Sequence, residues 1–208
     1  MLKSKEIANA LYKIDAIQIR PDRSFVWTSG IHSPIYCDNR LTMSYPKVRK
    51  QIVRQFAEMI EQLEEKPDVI AGCATAGIPP HAAWLADYLD LPMVYVRATP
   101  KGHGKQNQIE GKVEKGDKVI VIEDLISTGG SSIESAIVLQ DAGAEVLQVL
   151  AIFTYGLAKA DKKFKEVNVT FSTITNFDIL ADALVENNEI TEAEKTDLLQ
   201  WRDELGNS

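Results

Sequence analysis

Apolar positions follow two different periods along the chain. Residues 4–14 place Ile7, Leu11 and Ile14 at helical spacing behind Ser4, and residues 45–64 do so more strongly through Val48, Ile52, Phe56, Ile60 and Leu63. The spacing predicts two amphipathic helices, the first with Ser4 as its cap. Between them, Phe25-Val26-Trp27 and Ile35-Tyr36-Cys37 are short β-like pieces broken by Ser29-Gly30 and Ser33-Pro34 turns. This stretch reads as a strand-rich N-terminal elaboration.

From residue 67 the order becomes strand, turn, helix, repeated. Val69-Ile70-Ala71 runs into Gly72-Cys73-Ala74-Thr75-Ala76-Gly77, and a helix opens near Pro79-Pro80 with Ala83, Trp84, Ala86 and Leu89 on it. Met93 to Val96, Val119 to Ile122 and Glu145 to Phe153 are further strands, with a helix over 131–142 between the last two. Apolar runs without polar alternation belong to strands covered on both faces, so the expected class is α/β, a mostly parallel sheet flanked by helices. Residues 98–112 fit neither period: three glycines, one proline and almost nothing apolar predict a lid or binding loop without regular structure. The tail, 176–204, reads as two helices, the second carrying Leu198, Leu199, Trp201 and Leu205.

At 208 residues the chain fits one domain, with hood elements over about 1–44, a core over about 45–175 and C-terminal helices over 176–208. Hydrophobic residues at 45% and charged ones at 25% are ordinary globular values and decide little. Charge decides more: 23 Lys plus Arg against 30 Asp plus Glu leaves −7, without the basic face that a duplex nucleic acid requires. Any anion must therefore be held by a local site. Cys37 and Cys73 lack partners at metal spacing and suit a reducing compartment. No stretch approaches a signal peptide or the roughly 20 apolar residues of a membrane span, so a cytoplasmic protein is expected.

The chemistry concentrates in Lys118-Val119-Ile120-Val121-Ile122-Glu123-Asp124-Leu125-Ile126-Ser127-Thr128-Gly129-Gly130-Ser131-Ser132. A buried strand ends in two carboxylates, and a small-residue turn leads into a helix. Open α/β sheets bind ligands at that edge, and the N–H groups of Ser127, Thr128, Gly129, Gly130 and Ser131 make a phosphate cradle there. A Walker loop is excluded by the missing lysine, and a dinucleotide fingerprint by acids that precede the loop instead of following about 20 residues later. Two acids beside a phosphate repel it unless they reach another part of the same ligand, as in a phosphorylated sugar with free hydroxyls.

This segment resembles the 5-phosphoribosyl-1-diphosphate (PRPP) motif of the type I phosphoribosyltransferases. The resemblance implies that Glu123 and Asp124 hold the ribose 2- and 3-hydroxyls, that the loop 127–131 binds the 5-phosphate, and that Leu125 and Ile126 belong to the same PRPP-binding segment. Ser29-Gly30-Ile31-His32-Ser33-Pro34-Ile35-Tyr36 looks like the N-terminal signature of the orotate phosphoribosyltransferases. Arg97-Ala98-Thr99-Pro100-Lys101-Gly102-His103-Gly104 looks like their mobile catalytic loop, and Ala74-Thr75-Ala76-Gly77-Ile78-Pro79 is similar to their diphosphate-side loop. The resemblance implies catalytic Arg97, Lys101 and His103, which also contact PRPP together with Thr75 and Ala76. It implies orotate contacts from Ser127, Ser29, Gly30, Tyr36 and Arg40. It further implies Mg²⁺ on substrate oxygens with Asp124 acting indirectly, and a homodimer in which the loop serves the neighbouring subunit's site. His32 could contact orotate, and His81 reads as structural.

The chain departs from the family pattern at three places. Many members carry a lysine just before the Ser-Gly pair and an arginine beyond the strand after the phosphate loop, the latter on the orotate carboxylate; here stand Thr28 and Tyr155-Gly156. Ser127, backbone N–H groups of 29–40 and Arg40 are the expected substitutes. Ala98 stands where many relatives have another lysine. A phosphoribosyltransferase for another base, or a regulator of the same fold that senses PRPP, are the alternatives, the second disfavoured because no basic helix-turn-helix segment is visible.

Overall fold

The computed structural model describes residues 2–26, 32–74, 79–99 and 108–207. Its centre is a six-stranded sheet: β5 (Val69–Ala74), β6 (Met93–Arg97), β7 (Ile109–Glu110), β8 (Lys118–Ile126), β9 (Glu145–Thr154) and β10 (Phe171–Asn176), in the order β10-β9-β8-β5-β6-β7. All neighbours are parallel except β6–β7. The chain builds from β5 outward to β6 and β7, then returns to the other side of β5 to add β8, β9 and β10. The order therefore reverses between β5 and β8, and a crevice opens outside their C-terminal ends.

The sheet is buried on both faces, as the unbroken apolar runs require. Ile70, Ile120, Ile122, Leu150 and Ile152 point into one core with helices α1 (Leu2–Lys13), α2 (Pro46–Glu61), α3 (Pro80–Leu89), α6 (Phe177–Glu186) and α7 (Glu192–Asn207). Val69, Ala71, Val119, Val121 and Val149 point into the other, with α4 (Gly130–Asp141) and α5 (Ala158–Glu166). Neighbours in sequence on β8 thus face different layers. The hood consists of two small antiparallel pairs, β1 (Ile17–Ile19) with β4 (Ile35–Cys37) and β2 (Phe25–Val26) with β3 (His32–Ser33), followed by a 3₁₀ turn over Asn39–Ser44.

Four expectations are corrected. Helix α1 begins at Leu2, and the Ser4 hydroxyl, instead of capping it, donates to the Ile174 carbonyl at 2.6 Å. Segment 98–112 is not wholly irregular: β7 pairs with β6, and Arg97 and Gln108 exchange bonds, Arg97 N–H to the Gln108 carbonyl at 2.8 Å and Gln108 Nε2 to the Arg97 carbonyl at 3.3 Å. β8 continues through both acids to Ile126. Helix α5 and strand β10 are additional elements. The first helix is tied to the end of α6, with Lys5 paired to Glu186 at 2.5 Å and Asn187 Nδ2 donating to Asn9 Oδ1 at 2.8 Å.

Candidate active site

The end of β8 supplies two acids in unequal surroundings. Glu123 shares a face with Val119 and Val121 and is 5% exposed; its Oε1 accepts the Asp124 N–H at 3.0 Å, and its Oε2 accepts the Ser131 and Ser132 hydroxyls, each at 3.1 Å. Burial first, then the neighbouring Asp124 charge, raises its pKa to about 8. Asp124 lies on the opposite face, half-buried, where the 3₁₀ turn packs. Both acids sit at one strand end as expected, but Glu123 is already engaged by the first turn of α4. A further hydroxyl at Oε2 would have to displace one of the two serine hydroxyls.

The raised pKa gives a signed expectation for the ligand-free protein. Between the ordinary carboxylate value of about 4.3 and about 8 the folded state binds more protons than the unfolded one, so Glu123's contribution to stability falls with rising pH across that window. Thermal melts from pH 5 to 8.5 should show a decline that is flatter in Glu123→Gln; equal slopes in the two proteins would refute the assignment.

Leu125 and Ile126 belong to β8 and pair with Phe153 and Thr154 of β9, the Ile126 side chain being fully buried. The free loop therefore starts at Ser127. Gly129, in the left-handed region at φ +78°, turns the chain into α4, and no side chain caps that helix. First-turn N–H groups around Gly130 and Ser131 remain open to an anion at the positive end of the helix.

On the other side of the crevice, β6 ends at Arg97, which donates to Glu110 at 3.3 Å and lines a small cavity of about 40 Å³ with Cys73, Ser131 and Ser135. The mutual Arg97–Gln108 bonds hold both ends of the intervening segment at this edge of the sheet. Lys101, His103, Thr75, Ala76, Ser29 and Gly30 lie outside the described residues.

The hood contributes Tyr36, 42% exposed, its ring 5.8 Å from that of Phe25, over which the Arg20 guanidinium sits at 4.6 Å. Arg40 is exposed and forked onto its own neighbour, Nε to Asp38 Oδ1 at 2.6 Å and Nη2 to Oδ2 at 2.9 Å, which holds Asp38 below the usual carboxylate range. His32 is exposed; His81 is buried against Trp84, ring centroids 5.4 Å apart, with a pKa lowered to about 4 by burial.

Three contacts near the site were not anticipated. Tyr155 is buried, and burial with the approach of Cys37 and Asp124 raises its hydroxyl's pKa. Asn39 donates from Nδ2 to the Asp124 carbonyl at 2.7 Å. Gly156 adopts φ +71°, and a Cβ there would lie 3.1 Å from Nη1 of Arg202, a guanidinium delivered by α7 and held by Asp178 at 2.8 Å and Asp203 at 2.6 Å. No local pattern announces any of them, because each meets the site through a partner remote in sequence.

A phosphate cradle beside an acid pair, at the switch point of a parallel sheet, defines a sugar-phosphate site of the phosphoribosyltransferase class, and residues 44–183 match the phosphoribosyl transferase domain. The chain is 60% identical over 202 residues to the orotate phosphoribosyltransferase of Oceanobacillus iheyensis, covering 97% of this chain and all of that one. It is 56% identical over 204 residues to that of Fusobacterium nucleatum, covering 97% and 96%. The crystal structure of the Aeropyrum pernix orotate phosphoribosyltransferase superposes with TM-score 0.74 at 30% identity, over 86% of this chain and 97% of that one. The chain belongs to the orotate phosphoribosyltransferase family.

Proposed function

We propose that this chain is a pentosyltransferase that moves the 5-phosphoribosyl group of PRPP to N1 of orotate, releasing orotidine 5′-monophosphate and diphosphate in pyrimidine nucleotide synthesis. The observation that carries the reading is the uncapped α4 N-terminus behind Ser127–Gly130, next to Asp124 at the reversal of strand order. Loop 127–131 takes the 5-phosphate, and Asp124, with Glu123 after its serine exchange, takes the diol. The C1–O bond to diphosphate breaks with its electron pair leaving on diphosphate, while the N1–C1 bond forms and N1 gives up its proton. Charge builds on the leaving group only as it departs, so the useful cations are those that meet it then. Arg97, Lys101 and His103 have that role.

Tyr36 offers a ring face to the pyrimidine, and Ser29, Gly30, Ser127 and Arg40 are the further orotate contacts. The described residues hold no cluster of three or more metal-ligating side chains. A single open carboxylate, Asp124, fits an ion carried mainly by substrate oxygens and water, as magnesium is. Magnesium bound in this way supplies charge neutralisation on the diphosphate. A homodimer in which Arg97, Lys101 and His103 serve the neighbouring site is in keeping with the exposed Tyr45 and Tyr88, and a cytoplasmic setting with the two free cysteines. Among the described residues no helix is long and apolar enough to cross a membrane.

The deciding assay follows orotate absorbance with PRPP and magnesium, with uracil, adenine, hypoxanthine and xanthine in parallel. Orotate should turn over and the others not. Turnover of a purine instead, or PRPP binding without any turnover, overturns the reading.

A further inference from the structure

The 3₁₀ turn behind Tyr36 is wired into the acid pair by a buried polar chain. Asn39 is 1% exposed, Thr42 fully buried and His81 5% exposed. Thr42 Oγ1 donates to the Asn39 carbonyl at 2.6 Å and lies 2.9 Å from His81 Nε2. A hydroxyl has one proton; since Thr42 spends it on Asn39, His81 carries its hydrogen on Nε2 and donates to Thr42. The donors therefore run one way, His81 to Thr42 to the Asn39 backbone, and the Asn39 carboxamide passes on to the Asp124 carbonyl at 2.7 Å. His81 and Thr42 thus hold the main chain of Asn39, and the carboxamide of the same residue makes a separate bond to Asp124.

The other end of the same carboxamide is telling. Asn39 Oδ1 is buried and has no partner among the described residues. Among the described residues the carboxamide's bond to protein is the one that Nδ2 makes to the Asp124 carbonyl, so that bond sets where the side chain sits. That bond ends on the residue assigned to the ribose diol. It begins in the segment 36–40 assigned to the base, and its support comes from His81 at the start of α3, the helix that follows the diphosphate-side loop 75–78.

We propose that Asn39 is a positioning residue: its carboxamide, fixed through Thr42 and His81, sets the backbone of Asp124 against the base-side segment so that the ribose and base subsites keep one geometry. The proposal rests on the assignment of Asp124 to PRPP. Orotate bound against Tyr36 steadies the turn, the turn steadies Asp124, and by linkage PRPP bound at Asp124 tightens orotate by the same factor.

The test compares wild type with Asn39→Ala, Thr42→Val and Thr42→Ser. It measures PRPP affinity by calorimetry with and without orotate in magnesium-free buffer, where the two are not consumed, together with steady-state KM and kcat in magnesium and the melting temperature. Loss of one buried hydrogen bond with its partner left dry predicts a PRPP Kd weakened about tenfold or more in Asn39→Ala. The tightening of PRPP by orotate should shrink towards unity in the same variant. Thr42→Val should move both readouts in the same direction, and Thr42→Ser, which keeps the hydroxyl, should recover most of the loss. A merely structural role would lower the melting temperature in folded variants and leave the coupling untouched. If Asn39→Ala does not fold, the Thr42 pair decides: Val and Ser behaving alike overturns the proposal, as does wild-type coupling in Asn39→Ala. A wild-type protein that fails to bind PRPP would instead overturn the function on which the proposal rests.

Discussion

Lys101→Ala is expected to lower kcat by on the order of 10²–10³, the range measured when one charge-stabilising group is removed from a transition state, while PRPP affinity changes only a few-fold. Between Arg97 and Glu110 the sequence has Lys101, His103 and Lys105 and no acid, a local excess of positive charge on a protein of net charge −7. The Arg97–Gln108 bonds pin both ends of that stretch at the crevice. In the proposed reaction these cations would meet the diphosphate most strongly as its bond to C1 breaks, and their loss would then appear in turnover more than in ground-state binding. Stopped-flow single turnover and PRPP calorimetry on the same preparation separate the two; an unchanged single-turnover rate would remove Lys101 from the chemistry.

Gly129→Ala is expected to cost about 2–5 kcal/mol, summing roughly 1–2 for a side chain held in the left-handed region and roughly 1–3 for overpacking. A Cβ at 129 would stand 2.6 Å from Cε2 of Phe164, a ring only 2% exposed and packed 4.6 Å from that of Phe171, so the ring has little room to withdraw. The loop would have to move instead, and with it the N–H groups that face the phosphate. PRPP affinity should therefore fall along with the melting temperature. Gly130→Ala is the matched control for stability: nothing lies within 4 Å of its added Cβ, and its melting temperature should stay close to wild type. Similar melting temperatures of the two variants would show that neither the turn conformation nor the Phe164 contact shapes the cradle.

The parts of the fold that were legible in the sequence are those in which one physical cause dominates. Val119–Ile122 and Val149–Phe153 are apolar on both faces because helices cover both, and nothing but a central parallel strand needs that pattern. Strand β10, Phe171-Ser-Thr-Ile-Thr-Asn, is a sheet edge with polar positions, and helix α5, Ala158–Glu166, buries only Ala160 and Phe164 among its charges. Neither contains enough apolar residues to set a period. Strand β7 is two residues long and is held by its pairing with β6, a contact that local spacing does not encode.

The site divides in the same way. Acids and cradle are contiguous in sequence, and so their order was readable. The unequal environments of Glu123 and Asp124 were not, because they follow from which layer each side of β8 faces. Asn39, Tyr155 and Arg202 take their meaning from partners at Asp124, Cys37 and Asp178, which only the folded chain brings close.

The ties of α1 to Ile174, Glu186 and Asn187 set a timetable for biosynthesis. These partners lie 170 to 181 residues further along the chain, so the ties of α1 to β10 and α6 form only after those elements have emerged. Closing loops of that length comes late in any folding route. A nascent chain arrested before residue 174 should therefore expose this helix to protease, and the completed chain should protect it.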